Sequence, residues 1–191
     1  MLYGPADVGT LKVQAAAAWL RAFDPRAEVE ALALRVGSPE DAAAVVDGAD
    51  AVLLAADEPP YVLARWFNAA CLAARVPFIA AGQLPPLLKV GPLYVPGRTA
   101  CFTCHERLLQ RTSAGYDAYV ERAPEAVARG ATLGPASGVV GTLLASELVQ
   151  LLIGAEPASA GAALLLDVRT LRLRREAIPR DSGCPDCQHL R

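Results

Sequence analysis

Two short cysteine motifs constrain this chain more than any other feature. Cys101-Phe102-Thr103-Cys104 and Cys184-Pro185-Asp186-Cys187 lie about 80 residues apart, and each places two thiols within reach of one metal ion. Two such knuckles supply the four sulfurs of a closed tetrahedral zinc site. Four sulfur ligands leave no open coordination position, so the expected zinc is structural. It would clip the C-terminal tail back onto the middle of the chain. Gly183 before one pair, and Pro96-Gly97 ahead of the other, allow tight turns. Other readings of the cysteines stay open here: four reduced thiols without metal, a redox-active pair, or a Cys3His set that uses His189. Cys101, Cys104 and His105 also fit the CxxCH haem-attachment motif, but that leaves the second pair unexplained, and the only methionine is Met1. His105 reads as a surface residue opening a helix. The fifth cysteine, Cys71, reads as a packing residue inside a helix.

Composition narrows the class. The 53% hydrophobic content against 20% charged residues excludes a disordered tail or polar linker. A net charge of -2, from 18 basic and 20 acidic residues, offers no footprint for nucleic acid or anionic membrane. A chain of 191 residues can bury a core without covalent staples. No basic leader with an apolar stretch and cleavage site is visible, so the expected compartment is the cytoplasm. The most membrane-like stretch, residues 131–155, is interrupted by Pro135 and carries Glu147 and Gln150. It reads as a buried or interface helix rather than a spanning one.

The hydrophobic pattern predicts an α/β chain. Leu11, Ala15, Ala18 and Ala22 recur at helical spacing, giving a helix from Asp7 or Thr10 to Phe23, stopped by Asp24-Pro25. Residues 28–34 alternate as a strand. Ser38 caps and Pro39 opens the next helix, to about Gly48. The apolar run AVLLA at 51–55 reads as a strand buried on both faces, followed by an Asp57-Glu58-Pro59-Pro60 loop, a helix over 61–74 and a strand over 77–81. Residues 88–95 read as extended, and short helical pieces follow to Arg129. A loop over 131–137, a long apolar helix over 138–153 and paired strands over 162–168 and 171–177 complete the pattern. The expected fold is an incomplete doubly wound, Rossmann-like parallel sheet followed by antiparallel strands and a zinc clip. It forms one domain, residues 1–191, with a partial Rossmann-like part over 1–82 and a zinc-clipped part over 83–191.

Four stretches taken in order resemble the ThiF/MoeB/HesA family, bacterial relatives of the ubiquitin-activating enzymes. These are Asp7-Val8-Gly9 with Lys12 before an Ala-rich helix ending in Asp24-Pro25; AVLLA leading to Asp57 and a helix with Arg65, Asn68 and Cys71; Val95-Pro96-Gly97 with Ala100, Cys101 and Cys104; and the closing CPDC. Leu133-Gly134-Pro135 and Gly138-Val139-Val140-Gly141 match the family's loop and helix ahead of the last strands. The wording GPLYVPGRTACFTC resembles members associated with azole-type ribosomal-peptide modification. The resemblance implies ATP- and magnesium-dependent adenylation of the C-terminal carboxylate of a small carrier protein or precursor peptide. It implies that Lys12 contacts the phosphates and that Asp57 handles magnesium and phosphates, both being catalytic and cofactor-binding. It also implies a homodimer. By analogy of fold, a peptide tail is expected between Asp57 and the 82–88 segment. On spacing alone, Lys12 reads equally as a solvated helix lysine and Asp57 as a turn residue.

The sequence also departs from the family. No GxGxxG follows a first strand, the strand bearing the acidic ribose contact is absent, and Glu58 stands where members often carry Asn. Two apolar strands would then face a gap with unpaired edges. The expectations are a partner chain supplying the missing half, a misplaced coding start, or a rearranged non-catalytic core. The rival function is a zinc-stabilised docking protein that presents a precursor peptide to a separate modifying enzyme. A nucleotide- or dinucleotide-binding oxidoreductase is a third reading, opposed equally by the missing Gly-rich turn.

Overall fold

The computed structural model describes residues 2–84, 86–127 and 133–190. The chain divides into two compact units, residues 1–37 and 38–191. In the first, a 3-10 turn at Pro5–Asp7 precedes α1 (Lys12–Phe23), whose buried residues are Ala15 and Ala17. Trp19 and Phe23, four apart on α1, stack with ring centroids 5.5 Å apart. Residues 28–34, predicted as a strand, are not one; Leu32 and Leu34 are exposed. The alternation is present, but no ladder among the described residues takes up its backbone groups, and alternation alone makes no strand.

The second unit carries α2 (Pro39–Val46), β1 (Val52–Leu54), α3 (Val62–Ala74), β2 (Phe78–Leu84), β3 (Leu87–Tyr94), α4 (Phe102–Thr112), α5 (Tyr116–Val127), α6 (Gly134–Leu152), β4 (Ala162–Asp167) and β5 (Arg172–Ala177). The Asp41 amide donates to Ser38 Oγ at 3.1 Å, and Pro39 takes the first turn of α2, as the sequence predicts. Leu63, Phe67, Ala70 and Cys71 recur at helical spacing and form the buried stripe of α3, against which α2 packs. Arg75 ends α3 in the left-handed conformation.

One five-stranded sheet runs in the order β1-β2-β3-β4-β5. Only β1 and β2 are parallel; the other three pairings are antiparallel. This corrects the expected doubly wound parallel sheet: the α/β class and the closing antiparallel pair stand, but the sheet is mixed. The reason lies in the connections. Only two residues separate β2 from β3, too few for the crossover that parallel strands require. β3 thereby lies at the centre of the sheet.

Helices cover both faces. On one, Ala136, Val140 and Leu144 of α6 pack on Ile79, Leu88, Val90, Leu93 and Leu164. Burying each of the larger side chains contributes about 1.5–3 kcal/mol. Helix α6 begins at Gly134, inside the predicted loop, because Pro135 suits a first helical turn; residues 131–132 lie outside the described residues. It is long and apolar enough to cross a membrane by length and composition. Here its buried stripe lines the core, and its one acid, Glu147, is buried and accepts the Ser159 amide at 2.6 Å. On the opposite face lie α3, α4 and the C-terminal segment.

Leu144 is 1% exposed at the centre of the α6 contact. Leu144→Ala is therefore expected to lower unfolding free energy by about 2–5 kcal/mol in a urea titration. A loss below 1 kcal/mol would show that α6 does not pack on the sheet in solution.

Candidate metal centre and nucleotide-facing residues

The four motif cysteines converge. Cys101 caps the start of α4, Cys104 lies in its first turn, and Cys184 and Cys187 come from the C-terminal segment. Their Sγ atoms all lie within 4.8 Å of one another, and all four residues are buried. Cys101 Sγ is 3.8 Å from Cys104 Sγ and 3.6 Å from Cys184 Sγ, while Cys104 Sγ is 3.5 Å from Cys187 Sγ. These separations are far longer than a disulfide bond of about 2.05 Å, and the five cysteines are free. Such a group could hold a metal ion. Burial pushes the Cys101 thiol up and the Cys187 thiol up to about 11. Cys104 is drawn down: its burial is outweighed by the amides of Asp181 and Cys101 and the neighbouring thiols. A buried divalent cation would favour the thiolate form of the whole group.

Polar side chains hold the cluster in register. Asn68 of α3 is 1% exposed. Its Oδ1 accepts the Phe102 amide at 2.9 Å, and its Nδ2 donates to Thr103 Oγ1 at 3.3 Å and Asp186 Oδ2 at 3.1 Å. One side chain therefore binds α3 to both knuckles. The Asp181 amide donates to Cys104 Sγ at 3.4 Å. Its carboxylate accepts Arg107 Nε at 2.7 Å, the Gly183 amide at 2.9 Å and Arg111 Nη1 at 3.1 Å. These donors, Arg107 first, hold the Asp181 carboxyl down at about 2. Arg180 donates to the carbonyls of Gly97, Cys187 and Leu190, tying the turn before the first knuckle to the second. The motif spacing predicts the cysteines but not Asp181, Asp186 and Arg180. They sit near the second knuckle in sequence, yet which group each one meets is a tertiary matter. His189 is exposed and outside the donor group.

His105 corrects its sequence reading. It is buried at 7% exposure and hydrogen-bonded through Nδ1 to the Tyr94 hydroxyl at 2.9 Å. Burial, then the charge of Lys89, lowers its pKa to about 3, so the ring is neutral. The reason is orientation: one residue past Cys104 on α4, His105 falls on the face turned to the sheet. Cys71 is 1% exposed, and burial pushes its thiol up to about 12, a core residue rather than a nucleophile.

Lys12 is the first residue of α1 and is exposed, in the unit formed by residues 1–37. Asp57 is exposed in the loop that leaves the C-terminal end of β1, in the other unit. That end of a parallel pair is where α/β sheets receive ligands. Beside the loop, Arg65 makes a two-pronged ion pair with Glu106, with Nε–Oε2 and Nη2–Oε1 both at 3.0 Å, joining α3 to α4. Tyr116 hydroxyl donates to the same carboxylate at 3.4 Å.

Comparison with known proteins places this arrangement. The model of the ThiF family matches residues 1–186. The sulfur carrier protein ThiS adenylyltransferase of Escherichia coli is 31% identical over 188 residues, covering 98% of this chain and 68% of that protein. The molybdopterin-synthase adenylyltransferase of Escherichia coli is 26% identical over 186 residues, covering 97% and 69%. Among solved structures, E. coli MccB with AMPCPP and MccA has a TM-score of 0.80 at 26% identity, over 98% of this chain and 54% of that chain. MccB, a microcin C7 biosynthetic enzyme, is also known with ATP. This chain thus spans about two thirds of these curated relatives and about half of MccB. A family match over 186 residues, on an α/β sheet with a converged cysteine quartet, makes this chain a member of the ThiF family.

Proposed function

We propose that this chain serves as an adenylyltransferase that activates the C-terminal carboxylate of a precursor peptide or small carrier protein with ATP and magnesium. The carrying observation is Asp57, exposed where the loop leaves the one parallel strand pair, in a chain that matches the ThiF family along its length. The similarity to MccB, solved with ATP and with MccA, supports a nucleotide and a peptide substrate. In the reaction a carboxylate oxygen forms a bond to the α-phosphorus, and the bond from that phosphorus to the departing oxygen breaks, releasing pyrophosphate. The protein's task is to neutralise charge. Asp57 orients magnesium and phosphates at the strand ends, and Lys12 supplies a cation to the phosphates.

ATP–magnesium is expected to bind with micromolar affinity in calorimetry, and Lys12→Ala and Asp57→Ala each to weaken it roughly tenfold or more. The docking role makes the opposite forecast: a folded chain that captures peptide but gives no heat with ATP–magnesium.

The cysteine quartet is assigned to structural zinc. Zinc–thiolate bonds of about 2.3 Å place tetrahedral sulfurs roughly 3.8 Å apart, and the observed pairs stand at 3.5–3.8 Å. Zinc there supplies a cross-link, since four thiolates close its coordination. The purified protein should carry one zinc per chain by elemental analysis. Removing it, or Cys184→Ser, should lower Tm by about 10 °C or more. Metal-free protein with an unchanged Tm would remove the assignment.

The outer edge of β1 has no strand beside it among the described residues, which supports further β structure there, from a partner chain or another part of the protein. A homodimer has an apolar surface available in Val149, Leu152 and Ile153, all exposed at the end of α6. Light scattering should give twice the chain mass; a monomer at micromolar concentration would rule the homodimer out.

A further inference from the structure

The chain contains only two lysines, Lys12 and Lys89, among 18 cationic side chains. Lys12 has a role in the proposed site; Lys89 has none so far. It sits on the central strand β3, opposite Gly82 of β2 on one side and Leu165 of β4 on the other. Its neighbours Leu88 and Val90 point into the α6 core, so Lys89 projects from the other face, the one shared with α3 and α4. There the side chain lies over Gly82. A Cβ at position 82 would stand 3.1 Å from Lys89 Cε and 3.8 Å from Nζ, so any side chain there would press the lysine aside by a few tenths of an ångström.

That path leads across the sheet. Leu54 of β1 is level with Ala80 of β2. β1 ends there, and the chain runs on through Ala55 and Ala56 to the exposed Asp57. Neighbouring strands are about 4.8 Å apart, and an extended lysine spans more than one such interval. The ammonium of Lys89 is thus directed over β2 toward the strand end from which the Asp57 loop departs.

A mostly buried cation in this position is expensive to keep. No described residue forms an ion pair or hydrogen bond with it. Burial lowers its pKa. Elsewhere in the chain arginines fill the structural roles, pairing with Asp24, Glu106, Asp181 and Glu156. An unpaired, partly desolvated ammonium beside a ligand-receiving strand end calls for an anion brought by a ligand.

We infer that Lys89 is a second phosphate-contacting lysine of the nucleotide site, reaching over Gly82 to the phosphates beside the Asp57 loop. The inference rests on the adenylyltransferase reading and adds to it a residue on the far side of the phosphates from the loop. A compact ammonium on a flexible stem suits this task, because it meets a phosphate as a point charge and can follow it as pyrophosphate leaves.

Because there are two lysines, one labelling experiment reads each separately. The metal-loaded chain is acetylated with and without ATP–magnesium, and each lysine is followed by mass spectrometry after cleavage at arginine. At ten times Kd, nucleotide should slow acetylation of Lys89 about tenfold. Protection of Lys12 alone overturns the inference and leaves the nucleotide reading standing. Protection of Lys89 alone supports the inference and displaces Lys12 from the site. Protection of neither overturns both. Lys89→Met, which keeps the aliphatic length, provides the second readout. It should weaken ATP–magnesium binding about tenfold while Tm stays level or rises, since it removes an unpaired charge. Unchanged affinity in a folded Lys89→Met protein would overturn the inference as well.

Discussion

The convergence of four buried thiols is the constraint on which the C-terminal two thirds of this protein depends. Sulfurs brought within 4.8 Å from the start of α4 and from the chain's end fix the position of both. Apolar residues of β4 and the C-terminal segment, Ala163, Ile178 and Leu190, close around them. The polar groups nearby are satisfied by partners from other elements. Asn68 reaches from α3, Arg107 and Arg111 from α4, and Arg180 from the segment after β5. Each of these bonds is modest alone, but leaving a buried partner unpaired costs about 1–3 kcal/mol. The network therefore resists partial loss. Through α3, the same network also sets the position of the helix that follows the Asp57 loop.

The sheet divides the labour between its faces. One face is apolar and anchors α6. The other carries the cysteine quartet toward β4 and a line of polar residues, Tyr94, His105 and Lys89, toward β1 and β2. His105 is kept neutral by burial and by the lysine's charge, and its Nδ1 meets the Tyr94 hydroxyl. Glu106, the nearest acid on α4, is instead engaged by both prongs of Arg65. This pairing neutralises a buried carboxylate and leaves Lys89 available to a ligand anion.

Much of this was legible from the residues. The zinc-type spacing, the capped start of α2, the apolar α3 and the terminal strand pair appear as the pattern predicts; the AVLLA run forms β1, but Leu53 is exposed, so the strand is not buried on both faces. These are local matters: capping, periodicity and motif spacing act within a few residues. Beyond the earlier start of α6, further expectations did not survive. Residues 28–34 alternate like a strand but have no ladder partner. The 88–95 segment was extended as expected, but its antiparallel pairing to β2 turned a parallel sheet into a mixed one. His105, which reads as a surface residue from its place beside the first knuckle, lies in the core.

By itself the sequence determined the ThiF resemblance, the identity of the four thiols and most element boundaries, because those follow from residue type and short-range spacing. Only the tertiary structure decided what each polar residue meets. Asn68 and Asp186 are far apart in the chain yet hydrogen-bonded at 3.1 Å. Lys89 is unremarkable in the string PLLKVG, and gains its interest from Gly82 on the next strand, over which its side chain lies. Strand order and register are collective properties of the packed sheet, set by which apolar faces can be buried together, and no window of sequence contains them.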